Sequence, residues 1–323
     1  MRTSMVLKRV SKFLKVATFS LTGLSGLVQS AEPVTFTESG DFSEAAVMSG
    51  VLATQAQCEA VSNTVWASTA KHGQACIKYW SAGFPAKSNG RAIVFFHGDI
   101  FVGIGKTSPA YLKASAKSIR QDTELKARAL DAPYVFIGRP GTHGSSGDHM
   151  QRRRPAESAL LSIALDQIKK RLNIREFVLA GQSGGGHVTA SLLTLRNDIV
   201  CAVPTSSPSS PRIRWTLRGL KKDTTGYSDS YEPTEHLERS RMHAGLRVFV
   251  LGSPNDSNVL WPSQTILADK LSAIGVPTLL LQGQGKGPEQ HGLPNSAREV
   301  ALWCYHDLPN DEILRRARAG LKG

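Results

Sequence analysis

Phe177-Val178-Leu179-Ala180-Gly181-Gln182-Ser183-Gly184-Gly185 is the stretch that decides the fold. Four apolar residues in a row have the form of a strand buried on both faces. The run that follows, residues 186–195, reads as a helix. G-x-S-x-G alone says little, because glycine and serine are common. Between an apolar strand and a helix it marks a crowded turn that lifts the serine hydroxyl out at the carboxyl end of a sheet. The N-terminus of that helix adds a partial positive charge where a developing oxyanion would sit.

The same alternation recurs outward from this turn. Residues 47–53 and 75–80 read as two early strands, and 92–96 as a strand buried on both faces. A helix is predicted over about 109–130, a strand over 134–137 and an amphipathic helix over 156–172, after Pro155. Strands follow at 199–203, 247–251 and 276–281, with helices over 261–274 and from about 295. Strands and helices alternating at this length predict an α/β class fold, with a mostly parallel central sheet flanked by helices. Residues 205–245 interrupt the pattern. They are polar, basic and rich in Ser and Pro, and read as a small cap insertion.

The first thirty residues differ from the rest. Arg2, Lys8, Arg9, Lys12 and Lys15 precede a moderately apolar stretch at 16–28, and small residues follow at Ser30 and Ala31. That order predicts a signal peptide over 1–30, a hydrolysable leader on a domain spanning 31–323, and export to the periplasm or the exterior. The apolar run is too short and interrupted to span a bilayer, and no cysteine follows it to carry a lipid anchor. The net charge of +13 includes those five cations, so the remainder carries 13 − 5 = +8. Arg152-Arg153-Arg154 and Lys221-Lys222 have no aromatic residues interleaved, which argues against nucleic-acid binding and for a solvated basic face. The four cysteines form no CxxC pair, so neither a metal site nor a cofactor is expected. An even count in an exported chain favours disulfides. Cys58 with Cys76 is the preferred pair; Cys201 reads either as a small buried residue or as the partner of Cys304.

A turn of this kind calls for an acid and then a histidine, in that chain order. Asp256 lies in the loop Gly252-Ser253-Pro254-Asn255-Asp256 after the 247–251 strand, and His291 lies in Glu289-Gln290-His291-Gly292 after the last strand. Loops beyond strand ends are where ligands meet open α/β sheets. Asp229, Glu232 and Asp269 are worse-placed acids, as His187 and His306 are worse-placed bases. Ser183 is thus the expected nucleophile, His291 its general base and Asp256 the acid that orients the imidazole. Phe96-His97-Gly98-Asp99 ends the 92–96 strand, so the backbone N–H groups of Asp99 and Gly184 are the expected oxyanion donors. His97 reads as a support for that turn. The glycine-bent run 138–147 lies beside the site, and its lack of G-K-[ST] sets phosphate binding aside.

These motifs together resemble the α/β-hydrolases, and within them the catalytic domains of prolyl oligopeptidases and serine aminopeptidases. The matching residues are His97-Gly98, Arg139-Pro140-Gly141-x-x-Gly144-Ser145, Gly181-x-Ser183-x-Gly185, Tyr231-Glu232-Pro233-Thr234, Asp256 with Ser-Asn-Val after it, and His291-Gly292. The resemblance runs from about residue 47 to the end of the chain. Two departures stand out: no segment is long enough for the substrate-screening propeller of the large oligopeptidases, and Asp99-Ile100 replaces a run of glycines.

The resemblance implies hydrolysis of an ester or a peptide amide through an acyl-enzyme, with a small-molecule ester or a peptide as substrate. The alternative is a non-catalytic binding protein on the same scaffold. Haloalkane and epoxide chemistry is disfavoured, because it needs a carboxylate at position 183. Arg212, Arg214, Arg218, Lys221 and Lys222 of the insertion read first as wet surface, and second as an attraction for an acidic substrate.

Overall fold

A computed structural model describes residues 32–37, 42–85, 90–101 and 106–322. The expected signal peptide therefore lies outside the described residues. In chain order the strands are β1 (Val34–Thr35), β2 (Val51–Leu52), β3 (Thr64–Thr69), β4 (Gly73–Ala82), β5 (Arg91–Phe96), β6 (Tyr134–Ile137), β7 (Glu176–Gln182), β8 (Ile199–Thr205), β9 (Arg247–Gly252), β10 (Thr278–Gln284) and β11 (Leu321–Lys322). The helices are α1 (Glu44–Ser49), α2 (Gln55–Glu59), α3 (Pro109–Leu112), α4 (Ala116–Leu130), α5 (Pro155–Arg171), α6 (Gly184–Leu192), α7 (Pro211–Leu217), α8 (Trp261–Ala273), α9 (Pro294–Tyr305) and α10 (Asn310–Arg318).

Nine of these strands form one sheet in the order β11-β10-β9-β8-β7-β5-β6-β4-β3. All neighbours from β11 to β6 run parallel, and β4 and β3 close the other edge antiparallel. Successive side chains of the central strands enter opposite cores. Val94, Phe96, Phe177 and Leu179 pack on one face with Leu161, Leu165 and Ile168 of α5. Ile93, Phe95, Val178 and Ala180 pack on the other with Ala297, Val300 and Ala301 of α9. Both faces are covered, so these strands are apolar throughout and do not alternate. Because β5 sits between β6 and β7, the connection from β6 to β7 crosses over it. The carboxyl ends of β5 and β7 then flank the point where the winding reverses, the usual crevice for a ligand in such sheets.

Three expectations need correcting. Residues 47–53 are not one strand: Ser43 caps α1 by accepting from the Ala46 N–H at 3.1 Å, and Gly50, at φ 81°, ends that helix before β2. The helix expected over 109–130 is two, because Ser115 and Ser118 form a capping box that starts α4 afresh. Strand β3, paired with β4 in a hairpin, was not expected at all.

Both disulfides form. Cys58 of α2 joins Cys76 of β4, and Cys201 of β8 joins Cys304 of α9, 103 residues further along the chain. The second bridge fixes a helix to a central strand and closes a long loop, so it constrains the unfolded chain strongly. Replacing Cys201 and Cys304 together by Ala should lower the thermal midpoint by about 5–15 °C, from a loss of about 3–5 kcal/mol. Scanning calorimetry checks this, and an unmoved midpoint would contradict it.

Candidate active site

Six loops leave the carboxyl ends of parallel strands and meet at one rim of the sheet: those after β5, β6, β7, β8, β9 and β10. Residues 97–99, 139–147, 183, 206–210, 256 and 291 follow these strands in turn. The parallel topology alone gathers them.

Ser183 occupies the turn between β7 and α6 with φ 55° and ψ −119°, a conformation that costs an L-residue energy and persists only when its surroundings enforce it. Those surroundings are visible. A Cβ on Gly181 would lie 2.2 Å from the Gly185 carbonyl oxygen, and one on Gly185 would lie 2.1 Å from that of Phe96. Helix α6 therefore presses directly on β7 and β5, and glycine is obligatory at both positions. The Ser183 N–H donates to Thr205 O at 2.8 Å, which ties the turn to the end of β8.

Asp256 is buried, and every lone pair has a partner. Its Oδ1 accepts the N–H groups of Asn258 and Val259 at 2.8 and 2.9 Å, and its Oδ2 accepts Gln264 Nε2 at 3.2 Å. The same Oδ2 lies 2.7 Å from His291 Nδ1. A carboxylate so placed takes the Nδ1–H and leaves Nε2 as the basic nitrogen. The half-buried His291 is joined to the elbow through Gln182, the residue before Ser183. The Gln182 amide donates to His291 O at 2.8 Å and accepts from Leu293 N–H at 3.0 Å. Among the described residues no hydrogen bond links Ser183 Oγ to the His291 ring; such contacts are often long without substrate and tighten once it binds. The variable position of G-x-S-x-G offered no signal for this clamp.

The rival residues lie elsewhere. His187 is buried in α6 with Nε2 on Tyr231 O at 2.8 Å. Asp229 pairs with Arg154, and Asp269 is exposed. Glu232 accepts Ser210 Oγ and Arg212 N–H, both at 2.7 Å, and so ties the two ends of the 206–246 segment to each other.

Around Asp99 the structure departs from the expected solvated basic face. Arg152 and Arg153 are buried, and only Arg154 of that run stays partly open. The Asp99 carboxylate receives Arg139 and Arg152 at 2.9 Å each, and Arg153 as well. Arg139 also pairs with Glu157 at 2.7 Å, and Arg153 with Asp223 at 2.6 Å. Burial would raise the Asp99 pKa, but Arg153, Arg152 and Arg139 together hold it well below the usual carboxylate range. A Cβ on Gly184 would lie 2.0 Å from Asp99 Oδ1, so this carboxylate sits against the residue after the nucleophile candidate. A bare negative charge there would oppose an oxyanion; the guanidiniums cancel it. These partners stand 18 to 70 residues apart, beyond the reach of any local pattern.

His97 is buried among Arg139 N, Thr142 Oγ1 and His143 Nδ1, at 3.3, 3.0 and 3.1 Å from its Nε2. It braces the 138–147 loop against the loop after β5, as expected. Gly141, at φ 73°, must lack a side chain there, because a Cβ would fall 2.4 Å from His149 N.

No protein-family model matches the chain, and no curated protein sequence matches it. Solved structures do. The esterase Est1E from Butyrivibrio proteoclasticus, bound to ferulic acid, aligns with a TM-score of 0.51 at 11% identity, over 79% of this chain and 99% of that one. The Pyrococcus furiosus esterase Pf2001 aligns at 0.51 and 13%, over 82% and 96%. Prolyl oligopeptidase B from Galerina marginata aligns at 0.51 and 11%, over 76% of this chain but only 36% of its own. The chain has the α/β-hydrolase fold. The chain thus spans nearly the full length of these small esterases but little more than a third of that oligopeptidase.

Burial, with Arg139 nearby, holds His143 down to about 3, and burial above all holds His187 down to about 4, against an ordinary value of 6.5. Both are neutral when folded and take up protons when unfolded. Their stabilisation is complete above about pH 6.5 and is lost as the pH falls through this range. The thermal midpoint should therefore decline steadily between about pH 6.5 and pH 4. Calorimetry across that range checks it, and a midpoint that rose with acid would reverse the sign.

Proposed function

We propose that this protein is an exported serine hydrolase that cleaves an ester or amide through a Ser183–His291–Asp256 triad. The observation that carries the reading is the strained serine at the β7–α6 turn, with the Asp256-bound imidazole on a loop held by the residue just before that serine, Gln182. Strain of about 1–3 kcal/mol at one residue is retained where a side chain must be presented outward.

The chemistry then runs in two halves. Ser183 Oγ attacks the substrate carbonyl carbon while its proton passes to His291 Nε2, and the carbonyl electron pair moves to oxygen. The backbone N–H groups of Gly184 and Asp99 receive that oxyanion; one such donor is worth about 3–4 kcal/mol in the transition state. Collapse of the adduct breaks the bond to the leaving group, which takes the proton from the imidazolium. Water repeats the sequence on the acyl-enzyme: its proton goes to His291, its oxygen to the acyl carbon, and Ser183 regains its hydrogen as the acid leaves. Asp256 stays ionised throughout and stabilises the imidazolium. The 206–246 segment serves as the cap over the acyl or leaving-group side.

Two features support export: the basic, apolar start before Ala31, and four cysteines that all pair as disulfides. No helix among the described residues is long and apolar enough to cross a membrane.

Ser183→Ala should lower kcat on p-nitrophenyl esters or aminoacyl p-nitroanilides about 10⁴- to 10⁶-fold with the fold intact. A fluorophosphonate probe should label the unaltered protein and not the variant; labelling that persists would assign the nucleophile elsewhere. N-terminal sequencing of protein recovered from outside the cytoplasm should begin near Ala31, and a chain that still starts at Met1 would contradict export.

A further inference from the structure

Five arginines are buried among the described residues: Arg139, Arg152, Arg153, Arg196 and Arg214. Four of them reach a carboxylate oxygen closely: Arg139 at 2.7 Å, Arg152 at 2.9 Å, Arg153 at 2.6 Å and Arg196 at 2.7 Å. Arg214 does not. Its nearest carboxylate oxygen is Asp223 Oδ2 at 4.0 Å, and that group is already forked by Arg153.

Arg214 turns instead to neutral acceptors. Its Nη2 donates to Asn258 Oδ1 at 2.7 Å, and Nε and Nη1 make longer bonds to Asn258 O and Thr224 Oγ1, both at 3.4 Å. In the connected network Arg139, Arg152, Arg153 and Arg214 face only Asp99, Glu157 and Asp223, so 4 − 3 leaves one surplus positive charge. The exposed Arg218 adds a second cation on the same loop, on Asn258 O at 2.9 Å. The exposed Glu289 accepts the Asn258 amide at 2.9 Å and makes no ion pair with either arginine. Burial and the neighbouring Arg153 pull the Arg214 guanidinium down to about 10.

The surplus has a telling location. Arg214 belongs to α7 of the cap and grips Asn258, two residues beyond Asp256. At the other end of the network, Asp99 lies against Gly184, next to Ser183. A buried cation short of a counter-ion is expensive, and the missing anion can be brought by what binds between these two loops.

We propose that Arg214 is a specificity residue for a substrate that carries a carboxylate close to its scissile ester or amide. This rests on the serine-hydrolase reading. Of the arginines and lysines in the cap, Arg212, Arg218, Lys221, Lys222 and Arg241 are exposed and Arg239 is half-buried, so the selectivity falls to Arg214, which is buried.

Two matched substrate pairs test it. p-Nitrophenyl hemiglutarate against p-nitrophenyl valerate places the charge on the acyl side; 4-carboxyphenyl acetate against 4-carbamoylphenyl acetate places it on the leaving group. In at least one pair kcat/KM should favour the anion about tenfold or more, mainly through KM. Arg214→Gln should bring that ratio to within about twofold of unity, while Arg214→Lys, which keeps the charge, should retain most of it. A ratio below about twofold in both pairs, or one that survives Arg214→Gln, overturns the proposal. Should Arg214→Gln fail to fold, the lysine variant and the fall of the preference with rising salt decide it. Calorimetric titration of Ser183→Ala with 4-carboxyphenyl acetate and its carbamoyl twin reads the charge preference without turnover. Equal binding removes the anion site, whereas tighter anion binding in a protein that hydrolyses no ester keeps it and removes only the hydrolase reading.

Discussion

Everything at the rim depends on how closely helix α6 is allowed to approach strands β5 and β7. With hydrogens in place of Cβ atoms at Gly181 and Gly185, the helix start rests on the Phe96 carbonyl and on its own preceding strand. That contact holds Ser183 at φ 55° and leaves its side chain nowhere to go but outward. It also brings residues 97–99 alongside, since the same Phe96 ends the strand that carries them. One steric condition therefore fixes the serine, the start of the helix beneath it and the neighbouring loop. The two apolar cores on either face of the sheet make that condition rigid, because neither strand can recede.

A second level of order is electrostatic and sits deeper than surface charges usually do. Arg139, wholly buried, holds Asp99 and Glu157 apart and in place, while Arg153 continues the chain to Asp223 of the 206–246 segment. The 206–246 segment is thus not merely draped over the sheet. Asp223 on Arg153 fastens it to the rest of the molecule, and Glu232 on Ser210 and Arg212 ties its two ends to each other. Removing one member of such a set leaves an uncompensated charge in low dielectric, which is why networks of this kind act as a unit.

The sheet was legible because its cause is local: runs such as 92–96, 134–137 and 177–180 are apolar without interruption, and that form belongs to strands covered on both sides. The loops that hold Ser183, Asp256 and His291 could be placed in order for the same reason. What escaped notice had distant causes. Residues 47–53 carry enough valine and leucine to suggest a strand, yet Ser43 and Gly50 bound a short helix. Arg152 and Arg153 look like solvent-facing charge until Asp99 and Asp223 fold against them from far along the chain. Gln182 gave no sign at all, since an amide between glycine and serine acquires its purpose only when the loop after β10 arrives.

The Cys201–Cys304 bridge has a topological side as well. The segment it closes contains residues 206–246, Asp256 and His291, while Ser183 lies before it. Lys221 and Lys222 stand exposed within that ring, an open invitation to a trypsin-like protease. A single cut there would split the polypeptide without releasing either piece, so the nicked molecule would migrate as one band until a reductant was added.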